Sequence, residues 1–531
     1  MTEDPHLVRS SVLVAAGTGL SRLTGMLRVI VIAAALGSDL FSDAYNLANT
    51  TPNIIYELLI GGVLSATLVP LFVKADRDGD IDGPSAVFSV GMTVTASIAA
   101  LAVVAAPLIG RVYVNGGQSR GQQKLDLLVP MLHLLLPEIL FYGITALTTA
   151  ALHARRRYLA AAYTPVLNNV IVIAIAGFLI LGYHDRQERG GVSAIGGSDN
   201  ARLVLGIGTT AGIVAMSVPL VWAMRDAGIR LRWNLDWRHP MLGRLVRLSG
   251  WTLGYVAANQ VALAVVLRLA NRPPAGGVTA YQNAFIYFQL PHGLIAVTLM
   301  TTFLPELSRA VANDDLVAFW RRFTQALTAL LALIVPASIG YVLLGQDLAV
   351  VMLRHGDYST AAAELTGRTL VAFAVGLSGY SVYLLTLRAF YAFADTRTPF
   401  FLNLVENGLN VVLALLVAGS GAVGLAGAYS AAYLISAVLA LVVLSRVLGP
   451  DVGDTLGRLG SQALRIAAAS LAMAVAVAGV RAVVPGGAWG RVLLGAPVGF
   501  AAYVVAALAA RVEGAEQLAA RLRHRGGLRS P

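Results

Sequence analysis

The 531-residue chain contains no cysteine, which excludes disulfide scaffolding, thiolate metal centres and a cysteine nucleophile. Charge is also scarce. Only 13% of residues are charged, against about 25% in ordinary soluble domains, too few to cover a water-facing surface. No long polar stretch is present. The longest interruptions, around 183–202 and 225–245, hold about 20 residues each, so no large soluble domain is expected. Residues 1–9 (MTEDPHLVR) are mixed in charge and lead into an apolar segment too long for an h-region. A cleavable signal peptide is therefore not expected. Enzymatic signatures are missing as well. His133, His153 and His292 lack metal-ligand spacing, and neither a nucleophile elbow nor a P-loop occurs. The expectation is a non-enzyme without a bound metal.

What the chain has is apolar length. Hydrophobic residues make up 57% of it, and runs such as 95–110 and 466–480 carry no charge at all. A spanning helix needs roughly 20 mostly apolar residues. The pattern predicts helices near 9–36, 41–72, 84–110, 126–152, 158–182, 203–224, 246–271, 279–307, 319–345, 366–394, 398–418, 423–445, 464–484 and 491–511. The expected fold class is all-α integral membrane, with about fourteen transmembrane helices. The first two segments are more polar than a lipid-facing helix should be, as expected where helices line an interior cavity.

Lys and Arg number 39 against 28 Asp and Glu, a net charge of +11. The distribution argues for topology rather than nucleic acid. With a cytoplasmic N-terminus and alternating helices, inside segments hold 24 basic residues and outside segments, Lys124 among them, hold 11. This bias follows the positive-inside rule with both termini cytoplasmic, and it favours anionic membrane lipids. Four arginines remain at membrane depth: Arg22, Arg28, Arg268 and Arg388. A charge there costs at least ~2.5–3.5 kcal/mol on insertion scales. Arg22 and Arg28, in SRLTGMLR, stand about 9 Å apart along the helix with directions about 120° apart. Both could address one extended anion, and the guanidinium fork suits phosphate. The alternative is a structural ion pair with Asp43, Glu57 or Glu138. Arg268 either contacts substrate or snorkels, and Arg388 suits a structural role near a cytoplasmic end.

Sliding the chain against itself reveals a repeat. Ala44-Tyr45 matches Ala280-Tyr281 at an offset of 236, and Thr164-Pro165 with Asn169 matches Thr398-Pro399 with Asn403 at 234. Such an offset spans six helices, so both copies run the same way across the membrane. The expected organisation is an N-terminal lobe over 1–224, a C-terminal lobe over 225–450, and helices 13 and 14 with a short basic tail over 451–531. The lobes should be related by an axis along the membrane normal, with substrate between them.

Two polar clusters interrupt these spans. The second segment carries Asp43, Asn46, Asn49, Thr50, Thr51, Asn53 and Glu57 around Pro52, which breaks the hydrogen-bond ladder. Gly61 and Gly62 add bending or close packing. The eleventh segment, FLNLVENGLNVV, spaces Asn403 from Asn407 and Glu406 from Asn410 by four residues. That face could hold a coupling ion, Na⁺ or H⁺, or serve as interhelical glue.

The stretches SRLTGMLR, LGSDLFSDAYNLANTTPN, GGVLSATLVPLF, FQLPHGLIAVTLMTTFLPELSR and ADTRTPF resemble the MurJ/MviN lipid II flippases of the multidrug/oligosaccharidyl-lipid/polysaccharide exporter superfamily, the actinobacterial branch above all. The resemblance implies a cationic cavity and a substrate of undecaprenyl-diphosphate bearing the peptidoglycan precursor. It further implies alternating access driven by an ion gradient or membrane potential, and a lipid-tail groove at helices 13 and 14. It maps the family's helix-1 arginines onto Arg22 and Arg28, its helix-2 acid onto Asp43, and its Pro-Asn step onto Pro52 and Asn53. This chain departs from the pattern in four places. Tyr56 stands where an arginine is frequent, Gly61 and Val29 where acids are frequent, and 279–293 has no arginine. The expected substrate set is Arg22, Arg28, Asp43, Asn53, Glu57 and Arg268, and the expected ion-coupling set is Asn403, Glu406, Asn407 and Asn410. Two other functions compete. One is export of a capsular or teichoic precursor. The other is a non-transporting scaffold for cell-wall synthesis proteins.

Overall fold

The computed structural model describes residues 5–58, 67–114, 119–183, 193–272, 274–448, 453–484 and 487–513, and among these the only regular elements are helices. They are α1 (Pro5–Leu36), α2 (Leu40–Tyr56), α3 (Val69–Asp78), α4 (Asp82–Val104), α5 (Ala106–Tyr113), α6 (Ser119–Leu135), α7 (Glu138–Ala154), α8 (Leu159–Tyr183), α9 (Asp199–Asp226), α10 (Pro240–Ala270), α11 (Gly277–Pro291), α12 (Val297–Ala312), α13 (Leu316–Leu353), α14 (Thr360–Val375), α15 (Leu377–Ala392), α16 (Arg397–Leu416), α17 (Gly421–Leu448), α18 (Gly453–Val483) and α19 (Ala488–Ala509). Helix is what hydrocarbon demands, because it satisfies each backbone donor within its own segment. Hydroxyls inside these helices do the same, donating back one turn, as Thr24 does to the Leu20 carbonyl at 2.8 Å.

Among the described residues twelve helical spans are long and apolar enough to cross a membrane, and α14 with α15, bent by 47° at their junction, make a thirteenth. These spans coincide with thirteen of the fourteen predicted segments. In the remaining one, 41–72, the described residues are those of α2, π-helical residues 57–58, and 67–68 (again π-helical) leading into α3. Gly61 and Gly62 lie outside the described residues. A second π turn, His292–Ala296, follows Pro291. A π turn houses one extra residue and marks a break in regular pairing. Glu57 and His292 stand 235 residues apart, the spacing of the sequence repeat, so both copies break at corresponding places.

The chain divides into two compact units. The first comprises Met1–Thr279 with His355–Ser359. Within it α1 lies along α8, α8 along α9, and α2 against α6. Leu71, Phe72, Val87, Leu147, Leu220 and Met241 form a buried core from α3, α4, α7, α9 and α10. Lipid tails are as apolar as leucine, so close packing rather than escape from water holds such helices together. The short segment 355–359 closes this unit. The Asp357 amide donates to the Ala34 carbonyl at 2.9 Å. Gly356 there has φ +55°, and a Cβ on it would sit 2.4 Å from the Ala34 oxygen. Gly79 has a similar φ of +68° but open space around it. Gly356→Ala should therefore cost more than the ~1–2 kcal/mol of left-handed strain alone, and Gly79→Ala no more than that. Thermal unfolding of the two variants in detergent checks the ordering.

The second unit comprises Ala280–Arg354 with Thr360–Pro531. Its interior is aromatic. Tyr281, Phe285 and Phe288 of α11 meet Phe373 of α14, Tyr380 of α15 and Tyr429 of α17. The His292 ring packs on Tyr380 at 4.6 Å, and its Nδ1 pairs with the Ser381 hydroxyl at 3.0 Å. α18 and α19 dock on α13 through Leu344, Ile466, Met473, Val477 and Tyr503, and the Tyr503 hydroxyl donates to the Ala332 carbonyl.

Candidate functional site

The first unit concentrates polar groups around Arg28. α1 is oriented by α8, where the Asn169 amide donates to the Ser21 carbonyl at 3.2 Å and to the Thr24 hydroxyl at 3.0 Å. One turn further along α1, Arg28 is half-buried, while Arg22 is exposed. Neither arginine has a hydrogen bond or ion pair within 4.0 Å to any described residue. Arg28 nevertheless acts electrostatically on Glu138 and Tyr142 of α7. Glu138 is fully buried. Its Oε1 accepts from the Thr210 hydroxyl at 3.2 Å, and its Oε2 has no hydrogen-bond partner among the described residues. The Tyr142 hydroxyl is directed at the Asn53 side chain, and its ring stacks on Tyr56 at 5.2 Å. Asn53 also donates to the Asn49 carbonyl at 3.1 Å, and Glu57 is half-buried in the next turn.

These residues assemble for local reasons. Pro52 has no N–H to give, which frees the Ala48 carbonyl and loosens the turn that leads to Asn53, Tyr56 and Glu57. Pro137 precedes α7 and starts it at Glu138. The result is a guanidinium without a dedicated protein anion, beside one carboxylate, two phenols and an amide. An uncompensated arginine at membrane depth is costly. A phosphate-bearing ligand would supply both the missing charge and the acceptor oxygens.

Asp43, expected among the substrate residues, is placed differently. Its carboxylate is 1% exposed and already full. Oδ2 accepts from Lys124 Nζ at 2.9 Å and from the Gly276 amide at 2.9 Å. Oδ1 accepts from the Thr279 amide at 3.0 Å and the Thr279 hydroxyl at 2.9 Å. Two donors on each oxygen leave no acceptor capacity for a ligand, so Asp43 holds the site's framework instead. Asn46 joins the same knot, donating to the Thr279 hydroxyl at 3.0 Å. Lys124, assigned by the charge count to an outer segment, is 4% exposed. At the neighbouring turn Asp39 caps α2 in a capping box with Ser42. Burial pushes the Asp39 carboxyl above the usual carboxylate range, partly offset by amide hydrogen bonds from Ser42 and Ser193.

Arg268 is exposed in the last turn of α10. Arg388 is exposed on α15, its guanidinium 6.0 Å from the Tyr391 ring centroid.

In the second unit, Asn403, Glu406, Asn407 and Asn410 share one buried face of α16. The Asn407 amide donates to the Asn403 carbonyl at 3.0 Å. Neither Glu406 oxygen nor Asn410 Oδ1 has a hydrogen bond of ordinary geometry, although the Tyr433 hydroxyl is directed at Glu406. Tyr281, Tyr380 and Tyr429 surround the same carboxylate. Such a face offers oxygen acceptors to a cation or a proton.

Sequence reasoning missed several members of these sites. Glu138 figured only as one possible ion partner, and Tyr56 only as a departure from a family pattern. Tyr142 and Thr210 carried no signal beyond being polar in an apolar run, and Asn169 figured only in the internal repeat. Asp347 of α13, 5% exposed, was overlooked although it is the one acid in a 38-residue apolar helix.

With this geometry in place, comparison with known proteins is specific. Residues 32–495 match the family model described as "Lipid II flippase MurJ"; Arg22 and Arg28 precede the matched stretch. A Rhizobium meliloti (strain 1021) protein named "Probable lipid II flippase MurJ" is 28% identical over 444 residues, covering 82% of this chain and 80% of that one. A Burkholderia cenocepacia protein named "Lipid II flippase MurJ" is 27% identical over 407 residues, covering 74% and 75%. A solved structure described as "Lipid II flippase MurJ, inward closed conformation" superposes with TM-score 0.78 at 20% identity, covering 94% of this chain and 99% of the other. An inward-facing multidrug transporter of the MATE family superposes at 0.65 with 12% identity, covering 80% and 93%. These two likenesses establish the fold.

Proposed function

The chain belongs to the lipid II flippase MurJ family, and on that premise we infer that it is a multi-pass membrane flippase, a transporter rather than an enzyme, that moves lipid II across the bilayer. The observation that carries the substrate chemistry is Arg28, a half-buried guanidinium inside α1 with no ion pair to a described residue. In this mechanism the diphosphate docks on Arg28, with Arg22 reaching a second part of the head group. Asn53, Tyr142 and Glu57 hydrogen-bond its polar portion, and Arg268 serves as a further cation at the end of α10. Asp43 with Lys124 positions α2 without touching substrate. Alternating access between two repeat lobes, 1–224 and 225–450, carries the head group across, while helices 13 and 14 within 451–531 shelter the lipid tail. The basic-residue bias supports both termini facing the cytoplasm of a bacterial plasma membrane. Wall-synthesis enzymes downstream of lipid II are the partners expected, to be sought by co-purification. No observation favours a capsular or teichoic substrate, or a scaffold. Depletion of the protein should trap lipid II on the inner leaflet, read by a leaflet-specific head-group assay. Normal outer-leaflet lipid II after depletion would overturn this function.

The α16 face supplies the coupling step in the same mechanism. A buried carboxylate without firm partners is stable only when a proton or cation neutralises it. Na⁺ on Glu406 and Asn410 should raise the melting temperature when NaCl replaces choline chloride, and Glu406→Gln should abolish that rise. A Na⁺-insensitive wild type whose flipping follows the proton gradient assigns the face to H⁺. Flipping by Glu406→Gln at the wild-type rate under both gradients removes it from coupling.

A further inference from the structure

We propose that Arg481 and Arg491, at the adjoining ends of α18 and α19, bind the phosphate of an anionic membrane phospholipid. The site stands apart from the Arg28 cluster, although it lies on the two helices to which the lipid tail is assigned above, and its own lipid is set by its single surplus charge.

Its foundation is Asp347, whose side chain is only 6% exposed. Arg491 places Nη2 2.7 Å and Nε 3.0 Å from Asp347 Oδ1. Arg481 brings Nη2 to 3.5 Å from Oδ2 and donates through Nη1 to the Leu343 carbonyl. Two guanidiniums thus face one carboxylate. The pair keeps one uncompensated positive charge, and its side chains are 36% and 35% exposed. Each guanidinium has five N–H groups, so donors remain after Asp347 and Leu343 are served.

The surroundings select a lipid rather than a soluble anion. Below the arginines, α18 and α19 present exposed apolar side chains, including Leu471, Val475, Leu493 and Phe500. These suit acyl chains. Trp489, 58% exposed, lies in the first turn of α19 beside Arg491. An exposed indole with arginines at a helix end is the composition found at head-group depth. Charge selects among lipids. A surplus of one matches the single charge of a phosphodiester, whereas a diphosphate would bring at least two. The planar fork favours phosphate oxygens over a zwitterion's ammonium. Holding the forks on a buried acid orients them in advance, and the same contact fixes α18 and α19 on α13.

The full chain, purified in mild detergent, would be titrated with dioleoyl phosphatidylglycerol or dioleoyl phosphatidylcholine, and bound lipid counted by native mass spectrometry. Wild type should retain phosphatidylglycerol in preference by about fivefold. Arg481→Gln removes the surplus charge but leaves the Arg491–Asp347 pair, so it should lose that preference while α18 and α19 stay docked, with a melting temperature lowered only by the lost Arg481 contacts to Asp347 and Leu343. Arg481→Lys, keeping the charge, should retain most of it. An undiminished preference in Arg481→Gln would overturn the proposal. Displacement of the bound phosphatidylglycerol by equimolar undecaprenyl diphosphate would overturn the phosphodiester assignment in favour of a diphosphate lipid.

Discussion

Asp43→Asn is expected to lower the unfolding free energy by about 3–5 kcal/mol, the cost of stranding one member of a buried ion pair. The substitution leaves the Lys124 ammonium, with its side chain 6% exposed, facing an amide. Lys124→Met should cost less. It leaves a carboxylate that still accepts from the Gly276 amide, the Thr279 amide and the Thr279 hydroxyl. The double variant should be clearly more stable than the sum of the two losses implies, because each single change strands a charge that the other removes. Thermal or denaturant unfolding in detergent measures all three. Additivity within about 0.5 kcal/mol would mean that the two groups do not depend on each other. A substrate-contacting Asp43 would behave differently, with flipping lost and stability kept.

Arg28→Ala should give the reverse pattern. Hydrogen bonds to charged groups contribute about 1.5–3 kcal/mol each. A guanidinium gripping a phosphate through two of them therefore holds at least ~3 kcal/mol, a factor of about 100 or more in transport. Stability should hold or rise, since the variant removes a half-buried charge with no ion pair of its own. Arg28→Lys keeps the charge without the fork and should recover part of the rate. Arg22→Ala, at an exposed position, should cost about tenfold, one hydrogen bond to a charged group. The measurement is lipid II flipping in proteoliposomes, alongside complementation of a depleted strain. Full complementation by the Arg22→Ala, Arg28→Ala double variant would remove the arginines from substrate binding.

Much of this architecture was legible in the linear sequence, because spanning length and apolar continuity are local properties. Thirteen predicted segments are helical spans, α8 and α9 among them, since lipid permits few alternatives. The segment 41–72 was harder. Apolar count alone cannot reveal the π turns at 57–58 and 67–68, although Pro52, which α2 accommodates, lies just before the first of them. Arg22 and Arg28 stood out as charges in an apolar run. Their surroundings did not, because Glu138 and Tyr142 are more than 100 residues away and meet Arg28 only through helix packing. The burial of Lys124 was hidden for a similar reason, since it depends on a carboxylate 81 residues earlier. Asp347 was discoverable. A lone acid in a long apolar helix announces a partner, and basic residues near the ends of the last two helices were the candidates.

The knot at Asp43 also sets a timetable for biogenesis. Its lysine partner is synthesised 81 residues after it, and its amide donors 233 and 236 residues after it. At about 5–20 residues per second, the ribosome delivers Lys124 within roughly 4–16 s and the Gly276–Thr279 turn only after roughly 10–50 s. During that interval α2 must wait with an incompletely neutralised carboxylate, either at the translocon or in the head-group region. Insertion of the second helix is thus a step that a later part of the same chain completes, and a ribosome stalled before residue 276 should leave it exposed to membrane quality control.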